Sequence, residues 1–170
     1  MTVGNSFFET QTFREKWLWL ILIFFGTNVW LFKETFDQMV QHIEVGNKPM
    51  SNMELISTTV LVTILTILFL LFKLETRIEK DGIYIRFFPF HLSPRKYSWD
   101  KIEKSYVRQY SPLREYGGWG IRFGLFGKGM AYNVSGDMGI QLVFKDGTKV
   151  LIGTNKPQEV EEILRRKNLN

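Results

Sequence analysis

The chain has 170 residues, a formal net charge of +5, 45% hydrophobic residues and no cysteine. Without cysteine, disulfides, thiol catalysis and thiolate metal sites are excluded. The charge is uneven: residues 73–170 hold 18 Lys and Arg against 11 Asp and Glu, whereas residues 1–72 hold 4 against 6. The length allows a membrane anchor and one domain of about a hundred residues. The basic part either lies near an anionic surface or has an ordinary basic surface.

An uncharged run of eighteen residues extends from Leu55 to Phe72. This is about the length that a helix needs to cross the hydrocarbon core of a bilayer. Lys73 ends the run, and the pattern changes to alternation at Leu74. The sequence therefore predicts a transmembrane helix at about 53–73.

A second uncharged run lies closer to the N-terminus, from Trp17 to Phe32. Lys16 and Lys33 flank it and can extend its reach by snorkelling. Tryptophans near both ends are typical of a membrane–water interface. We predict a first transmembrane helix at about 17–33. A cleaved signal peptide is the alternative, which the missing small-x-small cleavage site disfavours. Asn28 is expected to bond to the other helix or to lie near the interface.

The connecting segment carries one apolar helical face with the spacing i, i+3, i+4, i+7, formed by Phe36, Met39, Val40 and Ile43. It is either a short helix on the outer surface or a continuation of the first helix. Gly46, Asn47 and Pro49 break the pattern. Ser51 or Asn52 is predicted to cap the second helix.

The basic residues near the ends of the helices predict the orientation. The connecting segment has only Lys33 and Lys48, together with four acids. The N-terminal tail has Arg14 and Lys16, and the stretch after the second helix has Lys73, Arg77, Lys80 and Arg86. We expect a multi-pass protein of the cell (inner or plasma) membrane with both termini cytoplasmic. Residues 1–73 are then the tail and two helices, and residues 74–170 a cytoplasmic domain.

From Leu74 onward the pattern predicts consecutive strands. Lys80-Asp81-Gly82 and Asp146-Gly147 are hairpin signals. In one predicted strand, Ile83, Ile85 and Phe87 are expected to face one way, and Tyr84, Arg86 and Phe88 the other. In a later strand, the row of Ile140, Leu142 and Phe144 is expected to face inward. One C-terminal helix has Pro157 in its first turn and an apolar face of Val160, Ile163 and Leu164.

About seven antiparallel strands followed by one helix is the order of pleckstrin-homology (PH) domains. The chain also resembles the bacterial PH-like domains of small membrane proteins of uncharacterised function, over roughly residues 74–167. Four segments carry the resemblance: 116–122 (YGGWGIR), Lys128 with 131–136 (AYNVSG), 139–142 (GIQL), and Gly153-Thr154 with Pro157. The resemblance implies an α+β membrane protein in which a two-helix transmembrane hairpin precedes an antiparallel PH-like β-barrel or sandwich. It implies no catalytic activity.

No Ser-His-Asp set, zinc spacing or carboxylate pair stands out, so we predict no catalytic residue, no cofactor and no metal site. His42 is expected to be a solvated surface residue. A possible ligand or partner surface consists of Tyr116, Trp119, Arg122 and Tyr132. The alternative is that these aromatic side chains pack the sheet and Arg122 bonds locally.

A second candidate surface mixes aromatic and basic residues one hairpin away from the anchor. Phe88, Phe90, Arg95 and Lys96 are predicted to touch the inner leaflet, where each basic residue could contribute about 1 kcal/mol. The alternative is that the phenylalanines belong to the core and the basic pair is solvated.

The sequence thus favours a non-enzymatic membrane protein that mediates protein or membrane-surface interaction. The expected partners are the lipid bilayer and either an unknown protein or a second copy, with no nucleic acid. The alternative is an accessory or regulatory subunit of a transporter or envelope enzyme complex.

Overall fold

A computed structural model describes residues 6–13, 17–42, 49–124 and 127–168. The chain forms two compact units: Met1–Phe13 joins Phe72–Asn170 in a sheet unit, and Arg14–Leu71 forms a helical unit. Some residues used in the sequence analysis lie outside the described ranges, namely Arg14, Lys16, Ile43, Gly46, Asn47 and Lys48.

The helical unit consists of helix α1, Leu18–Val40, and helix α2, Asn52–Leu71. Both are long and apolar enough to cross a membrane, because 23 and 20 residues at 1.5 Å per residue extend over about 30 Å or more. Helix α1 passes the predicted end at 33 and includes Phe36, Met39 and Val40. Of the two alternatives for the connecting segment, continuation of the first helix is therefore confirmed as far as Val40.

A reciprocal cap fixes the start of α2. Ser51 Oγ accepts a hydrogen bond from the backbone N–H of Glu54 at 3.3 Å, and the Glu54 carboxylate accepts from the Ser51 backbone N–H and hydroxyl, each at 2.9 Å. This arrangement is a capping box, which satisfies N–H groups that a helix leaves without partners. Of the two residues predicted to cap this helix, Ser51 forms the cap.

Polar side chains join α1 to α2. Asn28 donates from Nδ2 to Thr66 Oγ1 at 2.8 Å and accepts at Oδ1 from the Thr63 hydroxyl at 2.9 Å. The hydroxyls of Thr35 and Thr59 lie 3.1 Å apart. These pairs run in opposite directions along the two helices, so the helices are antiparallel. The expectation that Asn28 bonds to the other helix is confirmed.

The sheet unit begins with an N-terminal sheet of four antiparallel strands in the order β1-β2-β3-β4. Its strands are β1 Phe7–Thr12, β2 Lys73–Glu79, β3 Gly82–Phe88 and β4 Arg95–Ser98. The predicted turn at Lys80-Asp81-Gly82 is confirmed, because Glu79 pairs with Gly82 across the β2–β3 hairpin.

A C-terminal sheet of five strands follows, in the order β5-β8-β9-β7-β6. Its strands are β5 Ile102–Gln109, β6 Gly120–Phe123, β7 Met130–Asn133, β8 Met138–Phe144 and β9 Lys149–Gly153. A 3₁₀ turn, Trp99–Lys101, precedes β5. Helix α3, Pro112–Tyr116, lies between β5 and β6, and helix α4, Pro157–Asn168, ends the described chain.

The prediction of an α+β chain is confirmed. Of the predicted antiparallel β-barrel or sandwich, the barrel is not present among the described strands, and the strand pairing is not wholly antiparallel. Strands β7 and β9 pair in parallel, with Ala131 opposite Leu151, so the C-terminal sheet is mixed. The described strands form two separate sheets and do not close into a barrel. Because β8 and β9 pair in a tight hairpin, the other edge of β9 is available to a strand that precedes the hairpin in the chain. Strand β7 occupies that edge.

Side chains from both sheets and from α4 form the core. The predicted inward row is buried, with Ile140 and Leu142 at 0% exposure and Phe144 at 9%. In β3, the face that carries Ile83, Ile85 and Phe87 is the buried one. The α4 face is buried as predicted, at Val160, Ile163 and Leu164. The Tyr97 ring lies 5.5 Å from the Phe144 ring and links the two sheets.

Strand β1 lies in the stretch that the sequence analysis groups with the polar tail. It pairs with β2 along its whole length, from Phe7 opposite Ile78 to Thr12 opposite Lys73. Phe7, Glu9 and Gln11 face inward and are 5% exposed or less. The sheet unit is thus built from two pieces of chain, one before α1 and one after α2.

Two buried polar side chains attach β1 to the C-terminal sheet. Gln11 donates from Nε2 to the Gly153 carbonyl at 2.7 Å. The Glu9 carboxylate accepts from the Thr154 hydroxyl at 2.6 Å and from the Asn155 N–H at 2.7 Å. These bonds replace water for buried groups, whose burial without partners would destabilise the fold.

Candidate functional site

The predicted membrane-contact surface lies in and beside the loop between β3 and β4, and an aromatic cluster forms its base. The Phe90 ring lies 5.4 Å from Phe72 and 6.2 Å from Phe87, and the Phe13 ring lies 5.9 Å from Phe72. Phe13 and Phe87 are buried, whereas Phe90 remains 63% exposed. Phe88 is half-buried, and the Lys73 ammonium lies 5.8 Å from its ring centroid. Phe88 and Phe90 therefore both lie at the Lys73 end of the hairpin.

His91 fixes the shape of this loop. Its backbone N–H donates to the Phe87 carbonyl at 2.8 Å, and its Nδ1 accepts from the Phe87 N–H at 3.3 Å. The ring is buried 5.5 Å from the Tyr132 ring. Burial, with a smaller contribution from the Arg95 charge, lowers the pKa of His91, which favours the neutral ring that the accepting Nδ1 requires.

The two basic residues of this candidate surface have different surroundings. Arg95 is exposed and donates from Nη1 to the Tyr132 hydroxyl at 3.1 Å. Lys96 forms an ion pair with Asp81, at the other end of the β2–β3 hairpin. Lys96 pairs with Tyr84, which pairs with Arg77. At 3.3 Å per residue, this places Lys96 about 13 Å along the sheet from Lys73. Arg95, its neighbour in β4, lies one residue closer to Lys73.

The predicted ligand or partner surface does not form one exposed cluster. Tyr116 and Tyr132 are 2% and 0% exposed. The Tyr116 ring is 6.0 Å from the Tyr110 ring, whereas Tyr132 contacts His91 and Arg95. Trp119 is half-buried and donates from Nε1 to the Gly136 carbonyl at 3.1 Å. Arg122 is exposed and donates from Nε to the Trp119 carbonyl at 2.9 Å.

Sequence reasoning missed a charged cluster around helix α3. Glu115 accepts from Arg108 Nη2 at 2.9 Å and from Nη1 at 3.2 Å, and Lys128 Nζ lies 3.3 Å from the same carboxylate. Glu115 also accepts from the Ser111 N–H at 2.9 Å. The signal for α3 was present, since Pro112 in the first turn and Gly117 at the end, with φ +70°, are typical helix boundaries.

This cluster makes the stability of the sheet unit depend on pH. The hydrogen bonds from Arg108, helped by the Ser111 N–H and Lys128, hold the pKa of Glu115 at about 2 against an ordinary 4.5. Because the pKa is lowered on folding, the stabilisation is present above pH 4.5 and is lost as the pH falls towards 2.

We therefore expect Glu115→Gln to lower the free energy of unfolding by about 2–3 kcal/mol at pH 7. The difference from the unsubstituted protein should shrink below pH 4.5 and disappear near pH 2. Urea unfolding of the full chain in detergent, followed at several pH values, measures this difference. A difference that stays constant from pH 7 to pH 2 would contradict the assigned role.

Within the described ranges, no three His, Asp or Glu side chains come close enough together to hold a metal ion. Comparison of the chain with protein-family models, with curated proteins and with solved structures finds no match. The functional argument therefore depends on the geometry of this chain alone.

Proposed function

We propose that the chain is a membrane-anchored, non-enzymatic interaction protein. Helices α1 and α2 cross the bilayer, and the sheet unit is displayed on the cytoplasmic side. The residue patterns in 116–122, 131–136 and 139–142 support a PH-like character for this unit. It serves contacts with the membrane surface or with a protein partner.

The pairing of β1 with β2 carries this proposal. Strand β1 ends at Thr12, before α1, and β2 begins at Lys73, directly after α2. Thr12 and Lys73 are opposite each other in the same sheet. If α1 and α2 cross a membrane, this ladder requires the chain to return to the side from which it left. Because β1 and β2 must lie on the same side of the membrane, two crossings are favoured over one. This argument is independent of the distribution of basic residues.

The distribution of basic residues supports the cytoplasmic side. Four basic residues follow α2 closely: Lys73, Arg77, Lys80 and Arg86. The stretch between the two uncharged runs, residues 33–54, has only Lys33 and Lys48. Positive charge near the ends of the helices is retained on the cytoplasmic side.

Single-cysteine labelling tests both parts of this topology, because the natural chain has no cysteine. We expect an impermeant thiol reagent on intact cells to modify Asn47→Cys, and to leave Ser6→Cys and Asn168→Cys unmodified until the cells are opened. Labelling at positions 6 and 168 but not 47 would reverse the orientation. Different results at 6 and 168 would contradict the β1–β2 closure across two spans.

Co-purification in mild detergent distinguishes this function from the accessory-subunit alternative. A self-contained protein or oligomer is the result that the interaction module predicts. A stoichiometric partner that is lost when the spans are exchanged for unrelated apolar helices would favour a subunit of a larger complex.

A further inference from the structure

The loop between β3 and β4 presents two large apolar side chains to solvent. Phe90 is 63% exposed and Leu92 is 81% exposed, and both flank His91, which is 7% exposed. Because the His91 ring and backbone are bound to Phe87, the loop is held in a shape that turns its neighbours outward. Phe90 and Leu92 are one residue apart in the chain, and contiguous exposed apolar surface is typical of sites that bind a protein or a membrane.

The chain itself shows what lies next to this loop. Phe88, the last residue of β3, pairs with Lys73, the first residue of β2. Helix α2 ends at Leu71, so two peptide units, about 7 Å of chain, separate the helix from that end of the sheet. The Phe90 ring also contacts Phe72, in the junction itself. The loop thus follows the strand end, Phe88, that pairs with Lys73, and Lys73 is two residues along the chain from the end of α2.

We propose that Phe90 and Leu92 insert into the boundary between head groups and acyl chains of the leaflet that α2 enters. Lys73 and Arg95 lie at the level of the lipid phosphates. The inference rests on the proposed membrane anchoring and adds a specific contact to it. Aromatic and aliphatic side chains favour this boundary, and basic side chains beside them are attracted to anionic lipids.

The structure changes the composition of this surface relative to the sequence prediction. Leu92 joins it, because it is among the most exposed apolar side chains of the sheet unit. Lys96 leaves it, because its ammonium group is ion-paired with Asp81 and it lies about 13 Å along the sheet from Lys73, one residue beyond Arg95. The bilayer is favoured over a protein partner because the short α2–β2 connection holds the loop near the membrane.

The test uses the full chain in nanodiscs that contain anionic lipid, with one cysteine carrying an environment-sensitive fluorophore. The test position is Leu92→Cys. The matched control is Lys80→Cys, an exposed position at the opposite end of the same hairpin, about 20 Å away along β2. A third position, Leu61→Cys in α2, reports the anchoring itself, since Leu61 is 57% exposed on the helix.

We expect blue-shifted emission at position 92, with quenching by lipids that carry a spin label near the head group. Emission at position 80 should be red-shifted and unquenched, and position 61 should be quenched by lipids labelled deep in the acyl chain. Quenching at 61 without quenching at 92 would overturn the loop contact and leave the anchoring intact. A blue shift at 92 without lipid quenching would also overturn it, since a protein surface or second copy would then cover the loop. Absence of quenching at 61 would reject the anchoring.

Discussion

Replacing the six residues of β1, Phe7–Thr12, by Gly and Ser should unfold the sheet unit while leaving α1 and α2 helical. Phe7 is 2% exposed, and truncating a buried phenylalanine alone costs about 3–5 kcal/mol. The change also removes the Glu9 bonds to Thr154 and Asn155. Together these losses approach the whole stability of a small domain, about 5–15 kcal/mol.

Amide hydrogen exchange of the full chain in detergent measures this effect. Amides of β2, β3 and β9 should lose their protection, whereas those in the helices should keep it. The matched control replaces only the outward-facing Phe8 and Thr10 by Ser, both of which are exposed, and should change protection little. Protected β2 amides in the Gly-Ser variant would show that β1 is dispensable.

Phe144→Ala is expected to lower the free energy of unfolding by about 3–5 kcal/mol, because the ring is 9% exposed and packs against Tyr97. Thermal or urea unfolding of the full chain in detergent measures the change. Lys145→Ala, an exposed neighbour, is the control and should stay within about 0.5 kcal/mol. An unchanged midpoint for the alanine variant would show that the ring does not contribute to the core.

This experiment requires the full chain. A fragment that starts at residue 74 lacks β1 and with it the partners of Thr154 and Asn155. In such a fragment, the effect of Phe144→Ala on stability could not be separated from the effect of losing β1.

Much of the sheet unit was predictable because its signals are local. Asp146-Gly147 and Lys80-Asp81-Gly82 are turns whose residue types fix the pairing of the adjacent strands. Ile140, Leu142 and Phe144 alternate as a half-buried strand requires, and both features are present in the structure.

Strand β1 was not predictable in the same way. Its inward side chains include Glu9 and Gln11 next to Phe7, so hydrophobic alternation is missing. Their burial is tolerated only because groups near Gly153 and Asn155, more than 140 residues later in the chain, accept or donate the required bonds. A pattern within the strand cannot report partners so far away.

The candidate surfaces were missed or changed for a related reason. Exposure depends on which neighbours cover a side chain. The sequence left open whether Tyr116 and Tyr132 form a surface or pack the sheet, and the structure buries both. The parallel pairing of β7 with β9 is also invisible in the sequence, because residue types indicate a strand but not its neighbour.

The β1–β2 ladder also sets the order of events during synthesis. Strand β1 leaves the ribosome first, yet its pairing partner follows only after both helices. At 5–20 residues per second, Thr12 waits about 3–12 s for Lys73, its partner in the ladder. Gln11 waits longer, since Gly153 is 142 residues away. If α1 and α2 cross a membrane as proposed, a chain whose second helix failed to insert would leave β1 and β2 on opposite sides of that membrane. In that case β1 could pair with β2 only in chains whose two helices had both inserted. A chain without this pairing would have an incomplete sheet and would be exposed to proteolysis.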